Sequence, residues 1–205
     1  MRRLTPLFLI LALSLVSACG ALSSLSEASK ELDAYTLSPV STGGTAAAGS
    51  RHLVVELPTS AAALGTDRIL IKPSAVQAQY LPDGRWTEPA PALVQTLLVA
   101  SFQNLGGFRL VGRTGAGLMP DYTLMTELQD FQAEPIGPDA RQVTVKVSVM
   151  LTLIRESDRR IVATRRFATT DVVGSDETSA LVGGFDRALQ SVLREAVLWT
   201  RAQTG

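Results

Sequence analysis

The side chains best suited to chemistry in this sequence are one cysteine and one histidine. Cys19 is the only cysteine among 205 residues, and His52 is the only histidine. A thiolate can act as a nucleophile and an imidazole as its general base, but each needs the other in a defined setting. His52 heads an apolar run and has no serine or cysteine near it in a nucleophile motif. His52 therefore predicts no catalytic centre.

The sequence in front of Cys19 indicates a secretory signal. Arg2 and Arg3 give a positive start, and residues 4–16 form an apolar run of about 13 residues. A membrane-spanning helix needs roughly 20 such residues. Val16-Ser17-Ala18-Cys19 resembles the bacterial lipobox, in which an aliphatic and two small residues precede an acceptor cysteine. The alternative is an ordinary secreted protein with a free thiol at the cleavage point.

The lipobox resemblance implies cleavage before Cys19, a diacylglycerol thioether on its thiol, and acylation of the new amino terminus by a chain such as palmitate. More than one acyl chain makes such an anchor stable. Gly20 follows the cysteine, where lipoproteins retained in the inner membrane usually carry aspartate. We therefore expect a signal peptide at residues 1–18 and a lipid-anchored protein on the periplasmic face of the outer membrane.

Composition limits what the mature chain does. Removal of residues 1–18 leaves 187 residues with 17 basic and 19 acidic side chains. This balance provides no basic face for nucleic acid, and no second cysteine exists for an intramolecular disulfide. Residues 19–33 are small and polar and predict a flexible tether. Residues 34–202 are long enough for one domain with its own core.

Motifs for enzyme chemistry are missing from the sequence. It contains no Gly-x-Ser-x-Gly elbow, no His-Glu-x-x-His zinc motif and no phosphate-binding loop. The carboxylates are scattered, and Asp176-Glu177 suit the start of a helix. We therefore expect no catalytic residue, metal or cofactor, and an envelope hydrolase is the remote alternative.

Apolar periodicity predicts an α+β fold. Residues Gln142–Ile154 alternate between apolar and polar types, and strands at 121–131 and after the turn at 156–160 complete three antiparallel strands. Earlier short runs predict strands at 34–39, 52–57 and 67–73, and Pro82-Asp83-Gly84 predicts a turn.

Two helices complete the predicted fold. Thr87-Glu88-Pro89 resembles a capped helix start, and Gly106-Gly107 ends that helix. A second amphipathic helix of about five turns carries six large or apolar residues at helical spacing: Leu181, Phe185, Leu189, Val192, Ala196 and Trp199. We expect a mixed, mostly antiparallel sheet with both helices packed on one face.

Two short strings resemble the ABC-type transport auxiliary lipoprotein family. They are Asp67-Arg68 before a hydrophobic strand, and Arg85-Trp86-Thr87-Glu88-Pro89 at a helix start. The resemblance implies a periplasmic lipoprotein partner of an ABC transporter, often one with mammalian-cell-entry (MCE) subunits that move lipid between membranes. The first hypothesis is a non-catalytic adaptor. The alternative is a carrier that holds phospholipid in an apolar groove.

The second string supplies the candidate partner interface, which comprises Tyr80, Arg85, Trp86 and Glu88. Trp and Arg are enriched where partners bind, so we expect the string to lie at least partly at the surface, beside the predicted turn. The other interpretation of Trp86 is an aromatic residue of the core edge. Arg85 and Glu88 are three residues apart and suit an ion pair across the first helical turn.

Overall fold

The computed structural model describes residues 31–41, 49–115, 117, 119–137 and 142–205. Cys19, the predicted signal peptide and most of the predicted tether lie outside these ranges. The described strands are β1 (Asp33–Tyr35), β2 (His52–Val55), β3 (Thr59–Ser60), β4 (Arg68–Ser74), β5 (Gln77–Trp86), β6 (Leu110–Arg113), β7 (Tyr122–Ile136), β8 (Gln142–Arg155) and β9 (Arg160–Val173). The helices are α1 (Ala90–Leu105), α2 (Thr178–Thr204) and a short 3-10 helix (Ala62–Leu64).

Strands β7, β8 and β9 pair antiparallel in sequence order, as predicted. Alternate residues of β8 point to one face, because successive side chains of a strand alternate. That face is buried and consists of Val143, Val145, Val147, Val149, Leu151 and Leu153. Lys146 and Thr152 lie half-buried on the opposite face, which we call the second face of the sheet. The predicted β8–β9 turn is confirmed at residues 156–159.

A β-bulge in β7 keeps its apolar residues on the helix-covered face. Leu128 lies opposite Val149, whereas Asp130 lies opposite Ser148, so Gln129 is the additional residue. One inserted residue shifts the alternation by one position. Leu128 and Phe131 are therefore both buried on the same face.

The other edge of β7 carries three short strands in succession. β2, β3 and β4 each pair with it in parallel. β6 pairs in parallel with the other edge of β2. β5 pairs antiparallel with β4, and β1 adds a parallel pairing to β5. The parallel pairings span two to four residues each, whereas the antiparallel β7–β8 and β8–β9 pairings run along whole strands. The predicted α+β class with a mixed sheet is confirmed.

Helix α2 packs the predicted residues into the core. Leu181, Phe185, Leu189, Val192 and Ala196 are buried, and Trp199 is half-buried against them. The helix has 27 residues and is longer than the five turns predicted. Its neighbour α1 ends at Leu105, and the C-cap residue Gly106 has a φ of 69°, which suits glycine.

The start of α1 differs from the prediction. Pro89 occupies the N-cap position and no side chain caps the helix. Instead, the backbone N–H of Ala90 donates to the carbonyl of Thr66 at 3.1 Å. The chain segment before β4 therefore satisfies one of the donors that the first turn of a helix leaves without an intrahelical partner.

The predicted turn at Pro82-Asp83-Gly84 is wrong, because these residues lie within β5. The β4–β5 hairpin turns instead at Ala75-Val76. Arg68 pairs with Arg85 and Leu70 with Tyr80, so residues 81–84 stand opposite Ile69 alone. Turn-forming residues thus make a bulge, which is where a strand tolerates proline.

The predicted first strand ends early, and the chain then crosses the helix layer as a strap, residues 36–41. The N–H of Ser38 donates to Asp186 Oδ1 of α2 at 2.6 Å. The N–H of Val40 donates to Ser101 Oγ of α1 at 3.0 Å, and Asn104 Nδ2 donates to the carbonyl of Val40. Leu37 and Val40 are buried. The strap therefore bridges both helices.

Candidate functional site

Three of the residues predicted to contact a partner lie on the surface, and strands β4 and β5 position two of them. Arg68 pairs with Arg85 and Leu70 with Tyr80, so these four residues share the second face of the sheet. We call Asp67, Arg68, Tyr80 and Arg85 the β4–β5 surface. It combines two arginines and a tyrosine, types that are enriched at the hot spots of protein interfaces, with one carboxylate.

Short-range contacts hold the β4–β5 surface in one arrangement. Arg85 Nη1 lies 3.5 Å from Asp67 Oδ2, and the guanidinium carbon of Arg68 lies 5.8 Å from the ring centroid of Tyr80. Arg68 Nη2 donates to the carbonyl of Leu81 at 3.0 Å, and the Tyr80 hydroxyl donates to the carbonyl of Ala63 at 3.2 Å. A side chain that is already held loses less entropy when it binds.

The surface position expected for Trp86 is wrong. The side chain is 1 % exposed and points from β5 into the core, opposite to Arg85. Its ring centroid lies 5.4 Å from that of Phe131 and 5.2 Å from that of Phe185. The two phenylalanines also contact each other at 5.0 Å. Trp86 is therefore the core aromatic of the other interpretation, and it joins β5, β7 and α2.

Glu88 lies at the surface, but it does not pair with Arg85. Its Oε1 accepts a hydrogen bond from Thr96 Oγ1 at 3.1 Å, and Thr96 accepts one from Arg113 Nη2 at 2.8 Å. Arg85 instead bonds Asp67. The Arg85–Glu88 ion pair suggested by the spacing is thus replaced by two separate contacts.

The hairpin tip beside Tyr80 is exposed and uncharged. Val76 at its turn is 97 % exposed, and residues 73–82 contain no charged side chain. An open depression of about 290 Å³ lies between this tip and the 3-10 helix, with Leu64, Leu70 and Ala78 among its apolar walls. Gln132 lies on its floor, and its amide donates to Asp130 and Glu134. Desolvation by burial raises the pKa of Glu134, but hydrogen bonds from Lys146 and Gln132 lower it overall.

The space between sheet and helices is filled by side chains. Phe102, Phe185, Leu93 and Leu153 are among its fully buried members. A depression of about 560 Å³ is open to solvent, and Arg51, Arg201 and Leu198 line it. This depression and the one beside the hairpin tip both lie at the surface of the described chain.

One smaller depression gathers titratable side chains. Glu56, Glu156, Arg113 and Arg159 line a volume of about 200 Å³. A hydrogen bond from Thr123 and the contact with Arg159 lower the pKa of Glu156 despite desolvation. Arg159 Nη1 lies 2.7 Å from Glu156 Oε2. A general acid at neutral pH needs a raised pKa, so this carboxylate has the properties of an ion-pair partner.

Within the described ranges, no group of three or more His, Cys, Asp or Glu side chains is arranged to hold a metal ion. The backbone N–H of His52 donates to Asp121 Oδ2 at 2.7 Å, which fixes the start of β2. None of the helices in the described chain is sufficiently long and apolar to span a membrane.

The contact of Arg68 with Tyr80 and the exposed position of Val76 were not predicted from the sequence. Both follow from the hairpin turn at Ala75-Val76, which sets the register of β4 against β5. The absence of charge from residue 73 to 82 is the signal that could have indicated an exposed contact surface.

Comparison with known proteins places these features in context. The family model of the ABC-type transport auxiliary lipoprotein component matches residues 35–197. An uncharacterized protein of Bradyrhizobium diazoefficiens is 27% identical over 162 residues, which cover 79% of this chain and 42% of that protein. The chain thus spans less than half the length of this relative.

Solved structures share the fold. Protein XCC0632 from Xanthomonas campestris has 25% identity and a TM-score of 0.74, with 85% of this chain and 96% of that chain covered. An uncharacterized protein with 18% identity has a TM-score of 0.63, with 83% and 99% covered. The second likeness concerns the fold alone.

Proposed function

Because the chain belongs to the ABC-type transport auxiliary lipoprotein family, we propose that it is a lipid-anchored adaptor that docks onto the periplasmic subunits of an ABC transporter. The observation that carries this proposal is the match over residues 35–197 together with the lipobox at Val16–Cys19. In the proposal the transporter moves envelope lipid and its periplasmic subunits contain MCE domains. The adaptor contributes binding and no chemistry.

The proposed anchor is the thiol of Cys19, modified with diacylglycerol and followed by an acylated amino terminus carrying palmitate or a similar chain. Gly20 supports the periplasmic face of the outer membrane as the site, because it stands where retained lipoproteins usually have aspartate. Residues 19–33 would then tether the domain to that membrane. A chain of about 14 residues extends at most roughly 50 Å.

The packed core favours an adaptor over a carrier. An acyl chain needs a continuous apolar cavity, and ligand sites typically occupy about 300–1,000 Å³. The depression of about 290 Å³ beside the hairpin tip is open, and polar Gln132 and Asp130 line part of it. It supports contact with a protein loop better than storage of phospholipid.

The β4–β5 surface is the proposed docking site. Tyr80 is 40 % exposed and the side chain of Arg85 is 36 % exposed, so both can reach a partner without movement of the core. Trp86 supports the surface from beneath through Phe131 and Phe185. Glu88 lies at the start of α1 and extends the proposed interface toward Thr96 and Arg113.

Cys19→Ser is expected to release the protein from membranes. The serine hydroxyl cannot form the thioether, so the variant should accumulate as precursor or as soluble periplasmic protein. Membrane fractionation at high salt, followed by mass spectrometry of the amino terminus, measures this. Ser17→Ala is the matched control, because it keeps a small residue in the lipobox. Persistence of the Cys19→Ser variant in the washed membrane fraction would contradict the anchor.

Tyr80→Ala and Arg85→Ala are each expected to weaken binding to the transporter's purified MCE-domain subunit by about 2 kcal/mol, or roughly 30-fold in Kd. Their exposed positions imply a small change in the free energy of unfolding, within about 1 kcal/mol. Isothermal titration calorimetry and chemical denaturation of the same preparations measure both quantities.

Leu198→Ala is the control for the docking experiment, since Leu198 is an exposed apolar residue on α2. It should leave Kd unchanged. A Kd that is unaltered in both β4–β5 variants would place the docking site elsewhere. No measurable binding by the unmodified protein would instead argue against an MCE-type partner.

A further inference from the structure

Strand β9 has an outer edge that no described strand covers. It runs for 14 residues and, among the described strands, pairs only with β8. Among the other free edges of the described sheet, those of β1 and β6 have three and four residues, and that of β5 is open from Gln77 to Asp83, before its pairing with β1 begins at Gly84. One carbonyl of β6, that of Val111, also accepts a hydrogen bond from Gln103. An uncovered edge presents backbone N–H and C=O groups that can pair with another chain.

The edge is held in an extended conformation from below. Phe167 of β9 packs on Trp199 of α2 with ring centroids 5.6 Å apart. Arg187 of α2 forms a 2.6 Å ion pair with Asp171. β9 also stays in register with β8 from Val173 back to Ala163, and the pairing is irregular only near the turn. The backbone is therefore already in the shape that an added strand requires.

Side chains along the edge favour a particular kind of strand. Native edges are usually blocked by charges, prolines or bulges. From Phe167 to Val173 the only charged residue is Asp171, and Arg187 neutralises it. Val172 is 60 % exposed in this half of the strand. Residues 167–173 of β9 therefore carry nothing that blocks pairing with an added strand, and Val172 offers an apolar contact.

A positive charge stands at the middle of the strand. Arg165 has no carboxylate partner among the described residues, and its guanidinium carbon lies 5.0 Å from the ring centroid of Phe167. The next residue, Arg166, bonds Asp130, Gln129 and Ser148 on the second face. Arg165 is therefore the charge that remains available to a ligand.

We propose that the outer edge of β9, from Arg165 to Val173, accepts an extended acidic segment of a partner protein as an additional β-strand. Backbone hydrogen bonds supply the affinity, and side chains at alternate positions supply the specificity. A carboxylate on the added strand meets Arg165, and an apolar residue packs on Val172. This surface is separate from the β4–β5 surface, since β7 and β8 lie between β4 and β9.

A second copy of the chain fits this edge less well. Antiparallel pairing of two β9 strands about their middle brings Arg165 and Arg166 of both copies close together. Like charges that face each other across strands are destabilising. An acidic strand meets the same positions with opposite charge, so charge complementarity selects the partner.

The test uses the purified lipoprotein in detergent and two blocked twelve-residue peptides, one alternating valine with glutamate and one alternating valine with lysine. We expect the glutamate peptide to bind at least about fivefold more tightly, the scale of one exposed ion pair. It should also slow hydrogen exchange of backbone amides in residues 165–173. Fluorescence anisotropy and exchange mass spectrometry measure the two effects.

Two edge variants and two matched controls separate this edge from general surface charge. Arg165→Glu should remove the preference for glutamate, and Val172→Glu should weaken the glutamate peptide at least about fivefold. Arg194→Glu and Val76→Glu make the same two changes at exposed positions of α2 and the hairpin tip. They should change neither the preference for the glutamate peptide nor its affinity. All four positions are exposed, which keeps the fold intact.

Several results would overturn the proposal. Equal binding of both peptides would show that the edge does not prefer acidic strands. Unchanged hydrogen exchange in residues 165–173 would show that the peptide binds elsewhere. Amides already protected along the whole edge in the free protein would show that the chain's own segment occupies it. Protection that grows with protein concentration in the absence of peptide would show that a second copy occupies it.

Discussion

Val147→Asp is expected to abolish the folded domain. Val147 is fully buried at the middle of β8, between Phe131 of β7 and Thr169 of β9. A carboxylate there would be buried in the apolar core, and the cost of burying it is several kcal/mol, comparable with the roughly 5–15 kcal/mol that holds a domain together. Near-ultraviolet circular dichroism and a thermal melt should show loss of tertiary packing.

Lys146→Asp is the matched control for that experiment, because it changes the neighbouring residue on the second face. The side chain of Lys146 is 40 % exposed and pairs with Glu134 at 2.6 Å. Loss of this pair and the new repulsion should cost about 1 kcal/mol, so the cooperative melt should persist. If both variants melted alike, the assignment of the buried face would be wrong.

Trp86→Ala is expected to lower the free energy of unfolding by about 3–5 kcal/mol, the range for truncation of a large buried aromatic. The substitution removes two ring contacts, those with Phe131 and Phe185, and leaves a cavity between β5, β7 and α2. Urea denaturation of the purified variant measures the change through the shift of the midpoint at constant slope.

Trp86→Phe keeps an aromatic ring at this position and should recover more than half of the loss. Binding to the MCE-domain subunit by the folded fraction of Trp86→Ala gives a second readout. Normal binding by that fraction would indicate that Trp86 acts only by stabilising the fold beneath the β4–β5 surface. A stable Trp86→Ala protein that no longer binds would show instead that the side chain itself meets the partner.

Elements with long, unambiguous periodicity were predictable from the sequence. β8 alternates over its whole length, and α2 repeats its apolar residues every three or four positions, so each has one face that must be buried. Pro82-Asp83-Gly84 was not predictable in this way, because local turn preference competes with the pairing of β4 and β5. The pairing prevails, and it leaves the three residues in a bulge.

The candidate site shows the same limit of local information. Arg85 and Trp86 are adjacent, so they lie on opposite faces of β5, and only the register with β4 decides which one is buried. That register depends on the bulge at residues 81–84 and on the turn at Ala75-Val76. Both depend on contacts between residues distant in sequence. The string Arg85–Pro89 could therefore be associated with a family, but the sequence could not show that Trp86 is its buried residue.

The strap across α1 and α2 has a mechanical consequence. Any pull that arrives through the chain before Asp33 first loads β1, which pairs with β5 over three residues only. Behind it, the hydrogen bonds of Ser38 and Val40 fasten the chain to Asp186 and Ser101, on two different helices. Resistance to force is a matter of the unfolding rate. The strap thus protects the rest of the domain from a pulling force. The force has to break the strap's hydrogen bonds to both helices before it acts on β2.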